Sequence, residues 1–421
     1  MIILFCAFLL LFLFLMKGRS LSLLFTCIIL ISIFFGFFLG RKLIIESFSD
    51  LSIIILIIFL LMSLIIPWNN YKNIKSISGI NKLKLKKITI FLIAINILIF
   101  IVFLITTITV MTFVTDINDF KYSTGVATDF YYKFLPFPPV FFNLAILFYC
   151  FSYFIFPLHF YYLYKKRYYL SFICFILSLN IVLYGLTFFS RAVVIQYILM
   201  YMSMTWLLYA TLSEKVKKAL RIFSIIVGAV SIIYFIDVSI SRFKDDKSAA
   251  AKEYYNAIPV ESIIQDPVIY SYFDYTSQWI FNGFEVLKLY NYEGFNGEIS
   301  YGAIANLADT FGIIDYNTKE YSDKRKKLWP RPYYYTFNGY AAYSVYDYGI
   351  IGSVIFSFIY IAGVNKMKPR NNTIKLRDLF LITLMIQIPA LAIFYSQVGV
   401  IIVTFIIWVF LYIYLKYNIV K

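Results

Sequence analysis

The chain has 421 residues, of which 62% are hydrophobic and only 14% charged, with a formal net charge of +16. A water-soluble chain of this size could not bury so much apolar surface, so the composition describes a protein that crosses a membrane several times. The excess of positive charge sits in alternate connections between apolar runs, which excludes a nucleic-acid footprint and makes it a topology signal.

Eleven apolar runs can each cross a bilayer, a task for about 20 residues. They cover about 1–16, 20–40, 51–67, 88–114, 140–163, 168–189, 192–213, 221–238, 341–364, 378–396 and 398–416. The fold class expected is an all-α polytopic integral membrane protein: about 11 transmembrane helices with one large, partly helical extracytoplasmic loop. Residues 2–16 lack a basic leader and a small-residue cleavage site, and read as a retained, short span. The run from Tyr168 to Ser213 is too long for one helix, at roughly 69 Å. It breaks at Ser190-Arg191 into a tight hairpin. The last pair separates near Ser396-Gln397-Val398-Gly399. Cys6, Cys27, Cys150 and Cys174 all fall in apolar runs, so no disulfide framework and no CxxC metal site is expected.

One set of connections carries 22 basic residues against two acids, Glu214 and Asp378. The positive-inside rule makes that set cytoplasmic, and anionic lipid can assist it. The N-terminus is then expected outside and the C-terminus inside. Three parts follow: 1–238 with eight spans, 239–340 as the large outer loop, and 341–421 with three spans. A smaller outer loop, about 115–139, carries Asp116, Asp119, Lys121, Asp129 and Lys133. The large loop holds fourteen tyrosines and two tryptophans. Asp274 to Asn291 and Tyr301 to Phe311 have the apolar spacing of amphipathic helices. A long loop with its own secondary structure usually has a function.

The chain lacks GxGxxG, P-loop and HExxH motifs, and no cofactor or metal is implied. Its one histidine, His159, lies in an apolar run and reads as a packed side chain. Arg191 is costly at a span end unless it reaches an interface or a partner anion. Its planar, permanently charged fork suits phosphate. Arg242 follows a span directly, and Arg331 sits between Pro330 and Pro332 after the basic run that begins at Lys324. These three arginines could grip a diphosphate at a membrane surface. Asp347 is expected about 9 Å into a helix that starts near Ala341. Tyr343 shares its face, and Gly349 and Gly352 follow as close-packing glycines. As a general base, Asp347 and Asp274 stand first, with Glu298 and Asp309 behind them. The tyrosines read either as an interfacial belt or as stacking surfaces for sugar rings.

Three stretches resemble the O-antigen polymerase (Wzy) family, the oligosaccharide repeat-unit polymerases of bacterial surface polysaccharide. They are Phe189-Ser-Arg191, Tyr270-Ser-Tyr-Phe-Asp-Tyr-Thr-Ser277, and the segment from Thr336 to Gly352. The last is similar to the family's tyrosine–Asp-Phe-Gly–x-x-Gly segment, with Tyr348 in place of Phe. The resemblance implies a membrane glycosyltransferase at the bacterial inner membrane, with its large loop periplasmic. Its substrates would be oligosaccharides linked to undecaprenyl diphosphate, its setting membrane lipid, and its companions a flippase and a chain-length regulator. No nucleotide sugar, nucleic acid or metal is implied. The likeness carries over Arg191 and Asp347 best; Arg331 rests on the charge argument above. Together the expected set is Arg191, Arg242, Arg331 and Tyr343 for substrate or diphosphate, with Asp347 or Asp274 as base. The alternatives are an O-antigen ligase, which shares the architecture, and a lipid-linked oligosaccharide flippase or other transporter. A transporter should carry mid-span charges and lack a large ordered loop.

Overall fold

The computed structural model describes the chain except for residues 17, 115–119, 121–129, 132, 223–224, 227, 230–232, 234–257, 311, 331–332, 334–335 and 417–421. Among the described residues, in chain order, the helices include α1 Ile2–Leu15, α2 Leu21–Phe38, α3 Phe48–Ile65, α4 Lys82–Phe113, α5 Pro139–Phe148, α6 Ser152–Tyr164, α7 Tyr168–Ser178, α8 Asn180–Thr187 and α9 Arg191–Leu208. They continue with α10 Pro267–Lys288, α11 Glu298–Thr310, α12 Thr318–Leu328, α13 Gly339–Lys366, α14 Leu376–Met385, α15 Gln387–Ala390 and α16 Val398–Lys416. Two short strands, β1 Ser76–Ser78 and β2 Thr373–Lys375, pair in parallel with Ser76 opposite Thr373.

The protein is therefore largely helical and membrane-embedded. Among the described residues, seven helices or helix runs are long and apolar enough to cross a membrane: Leu21–Phe38, Phe48–Asn70, Lys82–Phe113, Pro139–Tyr164, Tyr168–Thr187, Arg191–Thr211 and Gly339–Lys366. All seven coincide with expected spans. The α1 helix is apolar but has only 14 residues. Most of the expected 221–238 span lies outside the described residues, as does the beginning of the large loop. The hairpin forms where the sequence breaks. Helix α8 ends at Thr187, Phe189 takes φ 48°, and α9 begins at Arg191.

The expected 378–396 span does not form as one helix. It divides into α14, the four-residue α15 and a non-helical stretch from Leu391 to Gln397. Irregular backbone in a membrane protein is tolerated where protein covers it and satisfies its polar groups. Both conditions hold here. Residues 388–394 are buried, and the carbonyls of Ala392 and Phe394 accept the Tyr340 and Gly339 N–H groups at 2.8 and 3.2 Å. Those are two of the N–H groups that the first turn of α13 leaves without an intrahelical partner.

The chain divides into two compact units. The first comprises Met1–Asn73, Val230–Pro369 and Met385–Val403. Here α2 packs on α10, and α13 packs on both α3 and α10. The local sequence sets the helix starts. Ser47 and Asp50 form a reciprocal capping box at α3, and Asp266 caps α10 with Pro267 as its first residue. Trp279 Nε1 donates to Ser32 Oγ at 2.6 Å, and Ser32 Oγ donates to the Thr276 carbonyl at 2.6 Å. These bonds fasten α10 of the expected loop to an apolar helix.

The second unit comprises Ile74–Ala229, Arg370–Leu384 and Thr404–Lys421. Its helices bury polar side chains in matched sets. Asn180 Nδ2 donates to Asn96 Oδ1 at 3.0 Å, and so does Ser152 Oγ at 2.7 Å. Gln196 donates to the Tyr153 hydroxyl at 2.8 Å. His159 is buried, with Nδ1 2.9 Å from Ser171 Oγ and Nε2 3.2 Å from the Tyr201 hydroxyl. Each set satisfies groups that would be costly to leave alone in an apolar surround.

Gly294 marks how closely the loop approaches α13, because a Cβ there would overlap the Tyr346 carbonyl oxygen. Overpacking of this kind costs about 1–3 kcal/mol. The Gly294→Ala protein is expected to unfold at lower temperature than the parent in detergent. An unchanged melting temperature would show that the loop and α13 separate freely.

Candidate functional site

Helix α13 is not continuous. Gly349 has φ 72° and ψ 173°, a conformation that in practice belongs to glycine. The sequence marked Gly349 as a packing glycine, but it is a break. Its consequence is direct. A carbonyl in an α-helix accepts from the N–H four residues on, and the break removes that partner for Tyr346 and Asp347. Their carbonyls instead accept the N–H groups of Phe295 and Gly297, both at 2.6 Å. The loop is thus bonded backbone to backbone onto the end of the first α13 segment.

Asp347 completes the junction. Its side chain is 2% exposed. One carboxylate oxygen accepts the Ile299 N–H at 2.9 Å. The other accepts the Ser300 N–H at 3.1 Å and the Ser300 hydroxyl at 2.6 Å. The Ser300 hydroxyl also meets the Tyr348 hydroxyl. Ile299 and Ser300 are in the first turn of α11, whose N–H groups lack intrahelical acceptors and carry the positive end of the helix dipole. Asp347 therefore acts as an N-cap supplied from another helix. It lies about 12 Å from the start of α13 rather than 9 Å, because the helix begins at Gly339.

Around this junction lie groups that could handle a polar substrate. Glu298 opens α11. Its Oε1 accepts the Tyr316 hydroxyl at 3.3 Å, and its Oε2 pairs with Lys324 Nζ at 3.3 Å. Burial, then the Glu298 carboxylate, pushes the Tyr316 phenol above its ordinary range. Burial likewise pushes Tyr321 up to about 12, partly offset by Arg325, with Tyr343, Asp347 and Glu298 adding to the rise. Tyr321 thus feels the Arg325 guanidinium and both carboxylates. Arg325 donates to the Tyr343 hydroxyl at 3.2 Å and lies 5.3 Å over the Trp329 ring. Trp329 is fully buried against Phe295, Tyr343 and Tyr346, and its indole N–H has no acceptor among the described residues. Asp309 holds a turn, accepting the Tyr316 N–H at 3.1 Å.

Asp274 belongs to a different place. It is buried in α10 and paired with Arg41 at 2.6 Å; Arg41 also donates to the Tyr270 hydroxyl at 3.1 Å and lies over the Phe281 ring. Along α10, Asp274 is about 18 Å from Val286, whose carbonyl accepts the Tyr346 hydroxyl. Asp274 and Asp347 therefore do not form one carboxylate pair. Tyr343 is one turn from Asp347, with its hydroxyl on Arg325. Arg191 is half-buried at the start of α9, in the second unit. Arg242 and Arg331 lie outside the described residues, as do Asp116, Asp119, Lys121 and Asp129. Lys133 is described, in the second unit, with its ammonium over the Phe134 ring.

Sequence reasoning missed Arg41 and Ser300. An available signal for Arg41 was its place directly after an apolar run, the same logic that selected Arg191. Nothing local singles out Ser300, whose role depends on a residue 47 positions later. Among the described residues, no group of three or more His, Cys, Asp or Glu side chains could hold a metal ion. Comparison with protein-family models, curated proteins and solved structures gave no match.

Two outcomes test these contacts. Asp347→Asn keeps the shape but turns an NH2 group towards backbone donors. It should cost about 1.5–3 kcal/mol, the worth of hydrogen bonds to a charged group, read as a lower melting temperature and faster proteolysis between α11 and α12. Arg41→Met alone should destabilise more than Arg41→Met combined with Asp274→Leu, because the single change leaves a buried charge unpaired. Equal losses in the two proteins would exclude a buried ion pair there.

Proposed function

We propose that the chain polymerises lipid-linked oligosaccharide repeat units for O-antigen or another bacterial surface polysaccharide. In this reading it has eleven spans, its N-terminus outside, and its tyrosine-rich loop on the periplasmic side of the inner membrane. The observation that carries the reading is the junction at Asp347. A folded, polar block is bonded onto the interrupted end of an apolar helix, and carboxylate, ammonium, guanidinium and phenol groups gather beside it. Surface chemistry on an amphiphilic substrate needs that combination. A pore or carrier would instead be expected to line its spans with charge. The resemblance in the Thr336–Gly352 segment falls on the same junction.

The reaction joins two lipid-linked glycans. A hydroxyl at the non-reducing end of one repeat unit attacks the anomeric carbon of the other glycan. The bond from that carbon to the diphosphate oxygen breaks, and undecaprenyl diphosphate leaves with the electron pair. The hydroxyl proton passes to a carboxylate. Cations stabilise the charge that develops on the diphosphate. Arg191, Arg242 and Arg331 are assigned that role, with Tyr343 supporting substrate through its contact with Arg325. Asp274 and Asp347 are the carboxylates first in line on sequence grounds. The tyrosines offer flat faces to sugar rings. A flippase would supply the substrate, and a chain-length regulator would set the product.

Deletion of the gene in its host should abolish polymer while single repeat units still reach the surface. Loss of even the single capped unit would point to a flippase or a ligase. In the complemented strain, Arg191→Ala should lower polymer roughly hundred-fold with no fall in protein level. Polymer at the parent level would remove Arg191 from the site.

A further inference from the structure

The carboxylates available as base are not equivalent. Asp274 is buried against Arg41. Asp347 accepts three donors and is closed from solvent. Asp309 is committed to its turn. Glu298 differs from all three. Its side chain is 14% exposed, and its oxygens meet side-chain groups rather than backbone donors: the Tyr316 hydroxyl and the Lys324 ammonium, itself 34% exposed. A base must have a lone pair that substrate can reach, and a side-chain partner can rotate away where a backbone N–H cannot. It must also be held in place. The first turn of α11 is fixed by Asp347 through Ile299 and Ser300, the residues next to Glu298.

Resting on the polymerase reading above, the geometry points to Glu298 as the general base of the transfer, with Lys324 and Tyr316 as the side chains that hold its carboxylate and Asp347 as a positioning residue. Glu298 takes the proton from the acceptor hydroxyl as the new glycosidic C–O bond forms and the anomeric carbon–diphosphate bond breaks. The electron pair leaves on undecaprenyl diphosphate, and Glu298 returns its proton to water. The charged and titratable groups that face Glu298 are Lys324 and Tyr321 from α12, Asp347 from α13, Tyr301 on its own helix, and Tyr316 from the connecting turn. Lys324 is the cation paired with it, at 3.3 Å.

The test uses the purified full-length protein in detergent with a lipid-linked repeat unit, followed by gel analysis of the glycan ladder. Glu298→Gln should lower the polymerisation rate roughly hundred-fold or more, and Glu298→Asp should recover part of it. Glu298→Ala should be nearly inactive alone and should regain part of its rate when added formate supplies a carboxylate in place of the lost one. A Glu298→Gln protein with the parent rate overturns the assignment, as does a Glu298→Ala protein whose rate formate leaves unchanged. The formate response decides the matter even if Glu298→Gln fails to fold. A parent protein that makes no polymer from this substrate removes the polymerase reading itself, a different failure from that of Glu298.

Discussion

The interruption of α13 at Gly349 is the constraint on which the first unit depends. One residue with positive φ takes two carbonyls out of the helix ladder, and buried carbonyls cannot stay without donors. The donors come from Phe295 and Gly297. Once those bonds form, the start of α11 lies against Asp347, and the carboxylate meets the N–H groups of Ile299 and Ser300. Glu298, Lys324 and Tyr316 are then close together because α11 is fixed. The chemistry attributed to this site follows from a backbone event in an apolar helix.

The same economy of polar groups shapes the rest of the protein. Two carbonyls of the non-helical stretch after α15 accept the N–H groups at the start of α13, so a break in one helix caps the beginning of another. In the second unit, Asn96, Ser152 and Asn180 share their hydrogen bonds, and His159 spends both ring nitrogens on Ser171 and Tyr201. Apolar surface alone gives helices little reason to choose one neighbour over another within a lipid phase. Matched polar groups supply that choice.

Much of the helical framework was legible because hydrophobic runs report it directly. The seven helices or helix runs that are long and apolar enough to cross a membrane, among the described residues, coincide with spans read from the sequence, and the turn before Arg191 falls where a break was expected. The amphipathic pattern after Asp274 did give a helix, α10, though it begins earlier, at Pro267 with its Asp266 cap. The 378–396 stretch was misread because its composition is that of a span, while Pro389 and the tertiary carbonyl partners break it. Gly349 was noticed for the wrong reason. A glycine's φ is not written in its neighbours, and the same Gly-x-x-Gly spacing serves close packing in other helices.

By itself the sequence determined the membrane setting, the position of most long helices and the polar, tyrosine-rich character of the block after them. Those properties depend on hydrophobicity, a sum over neighbouring residues that needs no knowledge of contacts. The tertiary structure alone decided which carboxylates are occupied. Asp274 and Arg41 are 233 residues apart, and Asp347 and Ser300 are 47 apart. A carboxylate's role is set by the donors that face it, and folding brings those donors from distant parts of the chain.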